Sequence, residues 1–228
     1  MKTFLIATRN AHKVGEIRAI LGAEFTFLTL NDFPGAPAVV EDADTFAGNA
    51  TKKSVALATW LAARSERLVV LADDSGLEVD ALSGAPGVHS ARFAAEDKFK
   101  DGNAPDADNN AKLLRLLRDV PDAQRTARFR CVIALTQVAV APNILPAGQA
   151  PGEPATLLFD GACEGRIDVA LRGQGGFGYD PLFIPNGCDQ SFAELGELTK
   201  NQLSHRAHAL AKLRHWLDRR AGSFSGCL

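Results

Sequence analysis

The sequence predicts an α/β fold, and three observations carry that reading. Short apolar runs rich in Phe, Val and Leu alternate with segments whose apolar residues recur at helical spacing, and Gly- and Pro-rich stretches separate them. The chain has 228 residues, 46% hydrophobic and 23% charged, enough for one sizeable core. A single domain, 1–228, with two lobes is the expectation. A formal net charge of -2 without a long basic run argues against binding a nucleic-acid polymer. A small anion needs only a local cluster of positive groups.

Phe4 to Ala7 reads as the first strand, running into Thr8-Arg9-Asn10-Ala11-His12-Lys13. Val14, Ile17, Ile20 and Leu21 then mark a helix that Gly22 stops. A strand ending at a helix N-terminus, with hydroxyl, amide and lysine at the junction, is a candidate phosphate seat. The same residues suit an ordinary N-cap with Lys13 in solvent. Phe25 to Leu30 suggests a second strand, and Asn31 to Val40 a loop. Glu41-Asp42-Ala43-Asp44 precedes a helix over Thr45 to Arg64, where Asn49 and Lys53, four apart, share a side.

Leu68 to Ala72 reads as a buried strand that ends at Asp73-Asp74-Ser75-Gly76, where the glycine permits a sharp turn. Ligands gather at the carboxyl ends of such strands, so Asp73 and Asp74 would emerge at a crevice. A polar turn with Asp74 capping a backbone N–H fits the stretch equally. Ser83 to Val88 is turn-rich, Asp97 to Asp108 polar and mobile, and Leu113 to Val120 a helix closed by Pro121. Thr126 to Val140 and Thr156 to Gly165 form two strands joined by the proline-rich loop 141–154. Arg125, Arg128 and Arg130 read as a solvated strand face.

Gly173-Gln174-Gly175-Gly176-Phe177-Gly178-Tyr179-Asp180-Pro181 lacks the spacing of a Walker A loop or a dinucleotide fingerprint. Its glycines allow tight turns that present aromatic rings beside a carboxylate, which suits a purine base; a glycine-rich bend with core aromatics is the other reading. Leu182 to Ile184 resumes a strand. A last helix carries Ala207, Leu210, Leu213 and Leu217, with Lys200, Ser204, His205 and Arg206 at its start, and 221–228 is a flexible tail. Cys131, Cys163, Cys188 and Cys227 show no metal-ligand spacing, so reduced thiols of a cytoplasmic protein are expected. The apolar stretch after Met1 is short for a signal peptide, and no segment reaches the roughly 20 apolar residues of a membrane span.

Taken in order, Thr8-Arg9-Asn10 with Lys13, Glu41, Asn49 with Lys53, Ala72-Asp73-Asp74-Ser75-Gly76-Leu77, Gly84-Ala85-Pro86-Gly87, Ser90-Ala91-Arg92, Phe177-Gly178-Tyr179-Asp180-Pro181 and Ser204-His205-Arg206 resemble the inosine triphosphate pyrophosphatase family over nearly the whole chain. These enzymes remove non-canonical purine nucleoside triphosphates (ITP, dITP, XTP, dXTP) from the nucleotide pool. The resemblance implies an elongated α/β protein with a long central mixed sheet flanked by helices, a cleft between two lobes, Mg²⁺ dependence and a homodimer. It departs at Arg9, where the family often has Gly, and in the longer loop 141–154.

The reaction so implied is water attack on the α-phosphorus, releasing pyrophosphate. Asp74 would orient or deprotonate the water and share Mg²⁺ with Glu41, with Asp73 a lesser candidate and Lys53 part of the catalytic set. Lys13, Lys53, Thr8, Arg9, Asn10, Asn49 and Ser75 would hold the triphosphate. Phe177, with Gly178 and Tyr179 in its loop, would stack on the base. Lys200, His205 or Arg206 would donate to O6, and Asp180 or a backbone carbonyl would accept from N1–H, leaving adenine mispaired. A regulatory module that binds a purine nucleotide without chemistry is the alternative, as is a phosphatase that takes the γ-phosphate.

Overall fold

The computed structural model describes residues 3–64, 66, 68–96, 102–138 and 154–223. Six strands form one mixed sheet in the order β2-β1-β3-β4-β5-β6. These are β1 (Thr3–Ile6), β2 (Thr26–Thr29), β3 (Val69–Val79), β4 (Thr126–Val138), β5 (Pro154–Ile167) and β6 (Phe183–Pro185). β1 pairs in parallel with β2 and β3, whereas β5 and β6 are antiparallel. The helices are α1 (Ala11–Leu21), α2 (Phe46–Ala62), α3 (Phe93–Glu96), α4 (Asp106–Leu116), α5 (Phe192–Leu203) and α6 (His205–Ser223). The expected α/β class and mixed sheet with flanking helices are present.

The chain packs as two compact units. The first comprises Met1–Asp74, Val132–Asp160 and Ala209–Leu228, and the second Ser75–Cys131 and Gly161–His208. In the first, Phe4, Leu5 and Ile6 of β1, Ile17 and Leu21 of α1, Leu57 and Leu61 of α2, and Val70 and Leu71 of β3 are all buried. Phe4 packs edge-on against Phe25, with ring centroids 5.4 Å apart. In the second, Leu77 and Val79 of β3 join Leu113, Phe129, Tyr179, Phe183 and Phe192 in a separate apolar cluster. Strand β3 therefore supplies both cores, and the division falls between Asp74 and Ser75.

Several elements differ from the sequence expectation. β3 does not end at Asp73 but stays extended through Gly76 to Val79, because Leu77 and Val79 continue the buried face and Gly76 has no positive φ. The partner strand β1 is what stops: its last paired residue, Ile6, faces Leu71, so Asp73 and Asp74 lie just past the parallel pairing. Asp106–Asp108, expected to be mobile, form the first turn of α4 behind Pro105. Helix α5 was not expected; Ser191 and Glu194 start it with reciprocal capping bonds, Ser191 N–H to Glu194 at 2.9 Å and Glu194 N–H to Ser191 Oγ at 3.3 Å. Lys200 accordingly sits in the last turn of α5, not at the head of α6.

Arg125 is not part of a solvated face, whereas Arg128 and Arg130 are partly exposed as expected. Arg125 is buried and donates to the carbonyls of Leu117, Val120 and Asp168 at 2.6, 3.0 and 3.2 Å, closing the C-terminal end of the α4 segment. Arg128 bonds two exposed carboxylates, Glu164 of β5 and Asp80 just past the end of β3. The expected loop 141–154 and the strand end at 139–140 lie outside the described residues up to 153, as do 97–101 of the polar stretch, Cys227, and the tail beyond Ser223, up to which α6 continues. The remaining three cysteines are free thiols. Among the described residues no helix is long and apolar enough to cross a membrane.

Candidate active site

In the first unit the charges gather around the end of the β1–β3 pairing. Asp73 is almost fully buried and ion-pairs with Lys13 of α1. Lys53, on the buried side of α2, donates from Nζ to Glu41 Oε2 and to the Asp73 carbonyl, each at 2.7 Å, and stands 3.5 Å from Asp74 Oδ1. Glu41 reaches Lys53 because the chain before α2 folds back on the helix. Asn49 Oδ1 accepts from the Ala43 N–H at 2.9 Å while its Nδ2 donates to the Ala43 carbonyl. Gly48 leaves room for that approach, since a Cβ there would come within 2.7 Å of the Ala43 Cβ.

Burial pushes the Asp74 carboxyl up to about 6, opposed by the positive charges of Lys53 and Lys13 and reinforced by Glu41 and Asp73. Burial also works against the Lys53 ammonium, but Asp74, Glu41 and Asp73 outweigh it, so its pKa is raised. Asp74 Oδ2 is buried with no hydrogen-bond partner. Among the described residues no group of three or more His, Cys, Asp or Glu side chains stands ready as a metal cage. Two carboxylates, Asp74 and Glu41, with one unsatisfied oxygen fit a hard cation that keeps several waters and takes its other ligands from substrate phosphates.

The junction at α1 is part N-cap and part charge site. Asn10 Oδ1 accepts from the N–H groups of His12 at 2.9 Å and Lys13 at 3.2 Å, and the Asn10 N–H donates to Thr8 Oγ1 at 3.1 Å. Arg9 is exposed. Lys13 is not in solvent but on Asp73.

The second unit holds the base-side candidates. Lys200 Nζ donates to Asp180 Oδ2 at 2.5 Å, with both side chains buried, and lies 4.2 Å from the centroid of the Phe177 ring. The Phe177 N–H donates to the same Asp180 oxygen at 2.8 Å. Gly176, at φ 74°, clears the space, since a Cβ there would collide with the Asp180 carboxylate. Arg206, completely buried, donates from Nη2 to Ser75 Oγ at 2.9 Å. His205 stacks on Phe129, with centroids 4.8 Å apart and planes 13° off parallel. Tyr179 does not present its ring: the ring belongs to the apolar cluster and its hydroxyl donates to the Ser90 carbonyl at 2.9 Å.

The family model described as the Ham1 family matches residues 4–216. The chain belongs to the Ham1 family. It is 49% identical over 216 residues to a dITP/XTP pyrophosphatase of Geobacillus kaustophilus, covering 93% of each chain. It is 45% identical over 219 residues to one of Halalkalibacterium halodurans, covering 96% of this chain and all of the other. Among solved structures, a HAM1 protein from Coxiella burnetii matches at a TM-score of 0.77 and 35% identity, over 96% of this chain and 100% of that one.

For a Ham1 chain, sequence reasoning quoted Ser90 in a motif without giving it a role, and missed Asp106, Asn110 and Phe129. Ser90 Oγ accepts from the Leu77 N–H at 2.9 Å, tying β3 to the Tyr179 anchor. Asp106 and Asn110 hold Gly178 from α4. Their signal was the spacing of four residues behind a proline, obscured by the polarity of the stretch.

Proposed function

We infer that this chain hydrolyses non-canonical purine nucleoside triphosphates, ITP, dITP, XTP and dXTP, to the monophosphate and pyrophosphate, cleansing the nucleotide pool. The observation that carries the reading is the cluster of buried Asp74 and Lys53 with partly exposed Glu41, beside the Lys13–Asp73 pair. The names of the curated relatives agree with it. Phosphoryl chemistry asks the protein chiefly for positioning and charge compensation. Lys13 and Lys53 compensate the triphosphate, with Thr8, Arg9 and Asn10 at its edge. A carboxyl raised to about 6 is mostly ionised at neutral pH yet basic enough to take a proton, so Asp74 orients and deprotonates the water that attacks the α-phosphorus. Asp73 holds Lys13 in place.

Mg²⁺ is the proposed cation, held by Asp74 and Glu41, and when bound it supplies further neutralisation of phosphate charge. On the base side, Phe177 stacks on the purine. Lys200 and Arg206, beside His205, donate to O6, and Asp180 accepts from N1–H. Adenine offers the opposite pattern at both positions and leaves these buried groups unpaired. A cytoplasmic homodimer belongs to the same reading.

The test is pyrophosphate and orthophosphate release from ITP, XTP, dITP, GTP and ATP with Mg²⁺ or EDTA. Mg²⁺-dependent pyrophosphate from ITP and XTP, with little from GTP or ATP, is expected. Orthophosphate alone would mean γ-attack, and ITP binding without release would mean a regulatory module.

A further inference from the structure

The loop carrying Phe177 is held by more than its own residues. Helix α4 places Asp106 and Asn110 four residues apart on one face, and both reach the same residue. Asp106 Oδ2 accepts from the Gly178 N–H at 2.6 Å, and Asn110 Nδ2 donates to the Gly178 carbonyl at 2.9 Å. Gly178 sits at φ 62°, so its donor and acceptor are both fixed in a left-handed turn directly after the stacking residue.

Two observations separate this clamp from ordinary helix docking. α4 is already anchored by Asn109, which bonds the Ala94 N–H at 2.8 Å, by Lys112 on the Phe93 carbonyl at 2.6 Å, and by buried Leu113 and Leu117. Losing the Gly178 bonds therefore leaves the helix in place and frees the loop. Phe177 and Asp180 are also bonded to each other, Phe177 N–H to the carboxylate and Asp180 N–H to the Phe177 carbonyl at 3.2 Å. A shift at Gly178 moves stacking ring and base acceptor together.

We propose that Asp106 and Asn110 are positioning residues for purine selection, holding the Gly178 peptide so that Phe177 and Asp180 meet the base in one fixed geometry. The proposal rests on the pyrophosphatase reading above. Neither side chain contacts substrate; each acts through the loop. A small misplacement of a binding group suffices for a large loss of discrimination.

The experiment compares Asp106→Ala, Asp106→Asn and Asn110→Asp with wild type, measuring kcat and KM for ITP and ATP alongside melting temperature. Asp106→Ala removes the acceptor at an exposed position, and Asn110→Asp removes the donor at nearly constant shape. Each is expected to raise KM for ITP by about fivefold or more, with a smaller change in kcat and a reduced ITP/ATP ratio of kcat/KM. Asp106→Asn, which keeps an acceptor oxygen, restores most of the ratio. In a Phe177→Ala background, Asp106→Ala adds little, because the group it positions is gone. An unchanged ITP/ATP ratio in Asp106→Ala, or equal further losses in the Phe177→Ala background, would overturn the clamp while leaving the pyrophosphatase reading intact. Wild type that neither binds nor hydrolyses ITP would overturn both.

Discussion

The Lys53 ammonium stands 3.5 Å from Asp74 Oδ1, with both side chains about nine-tenths buried. Lys53 is also hydrogen-bonded to Glu41 and to the Asp73 carbonyl, so its position does not depend on Asp74 alone. Asp74 is the less satisfied partner, with one buried oxygen unbonded and its carboxyl raised by burial. That asymmetry suits a group that must take up a proton or a cation, and it makes Asp74 a cost to the fold.

Asp74→Asn should therefore separate activity from stability. Loss of the carboxylate proposed to activate water is expected to lower kcat for ITP by about 10²- to 10⁴-fold. Without metal at pH 8, the variant should melt at or above the wild-type temperature. Steady-state kinetics with calorimetry checks both; turnover within threefold of wild type would remove Asp74 from this role.

The pH dependence has a definite sign. The folded Asp74 pKa of about 6 lies above its ordinary value of 3.8, so between these values the native state binds more protons than the unfolded state. Its contribution to stability is therefore greatest below about pH 4 and declines as pH rises to about 6, by roughly 1 to 3 kcal/mol. Lys53, raised above 10.5, keeps its contribution throughout that window. Mg²⁺ bound at Asp74, as proposed, would compete with protons there, so the stabilisation by Mg²⁺ should be larger at pH 8 than at pH 5. Melting curves with and without Mg²⁺ at the two pH values measure it, and an equal shift at both would contradict metal binding at this carboxylate.

Arg206 makes its bond to Ser75 from a fully buried position. Arg206→Ala is expected to reduce kcat/KM for ITP more than kcat/KM for ATP, by about tenfold or more. Equal losses on both substrates would assign Arg206 to packing alone.

Arg125 offers a control away from the chemistry. Its guanidinium bonds three carbonyls, and Arg125→Ala leaves those buried acceptors without donors. A destabilisation of about 2 to 4 kcal/mol in urea unfolding is expected, with KM for ITP unchanged in the folded fraction. A variant as stable as wild type would show that water replaces the guanidinium.

Much of this was legible in the sequence, because local rules govern it. The apolar runs located every strand, and Asn10 and Gly22 bounded α1 as caps do. Elements defined by weaker local signals were lost: α5 hides its capping box behind a Gly at 196 with φ 76°, and α4 begins in a run of Asp and Asn. Gly76 looked like a turn because glycine usually punctuates, whereas the buried Leu77 and Val79 keep it in the strand. The candidate site residues were recognisable one by one, but their partners were not. Lys13 meets Asp73 across 60 residues and Arg206 meets Ser75 across 131, and no local pattern encodes such pairings. The same distance explains why Arg125 looked solvated and Tyr179 looked exposed.

The most direct test of the account is hydrolysis of ITP in ¹⁸O-enriched water with Mg²⁺, followed by mass analysis of both products. Attack on the α-phosphorus by water oriented at Asp74 predicts one ¹⁸O in the nucleoside monophosphate and none in pyrophosphate. Label in pyrophosphate, or in orthophosphate released with a nucleoside diphosphate, would place the attack elsewhere and contradict the role assigned to the Asp74–Lys53 cluster.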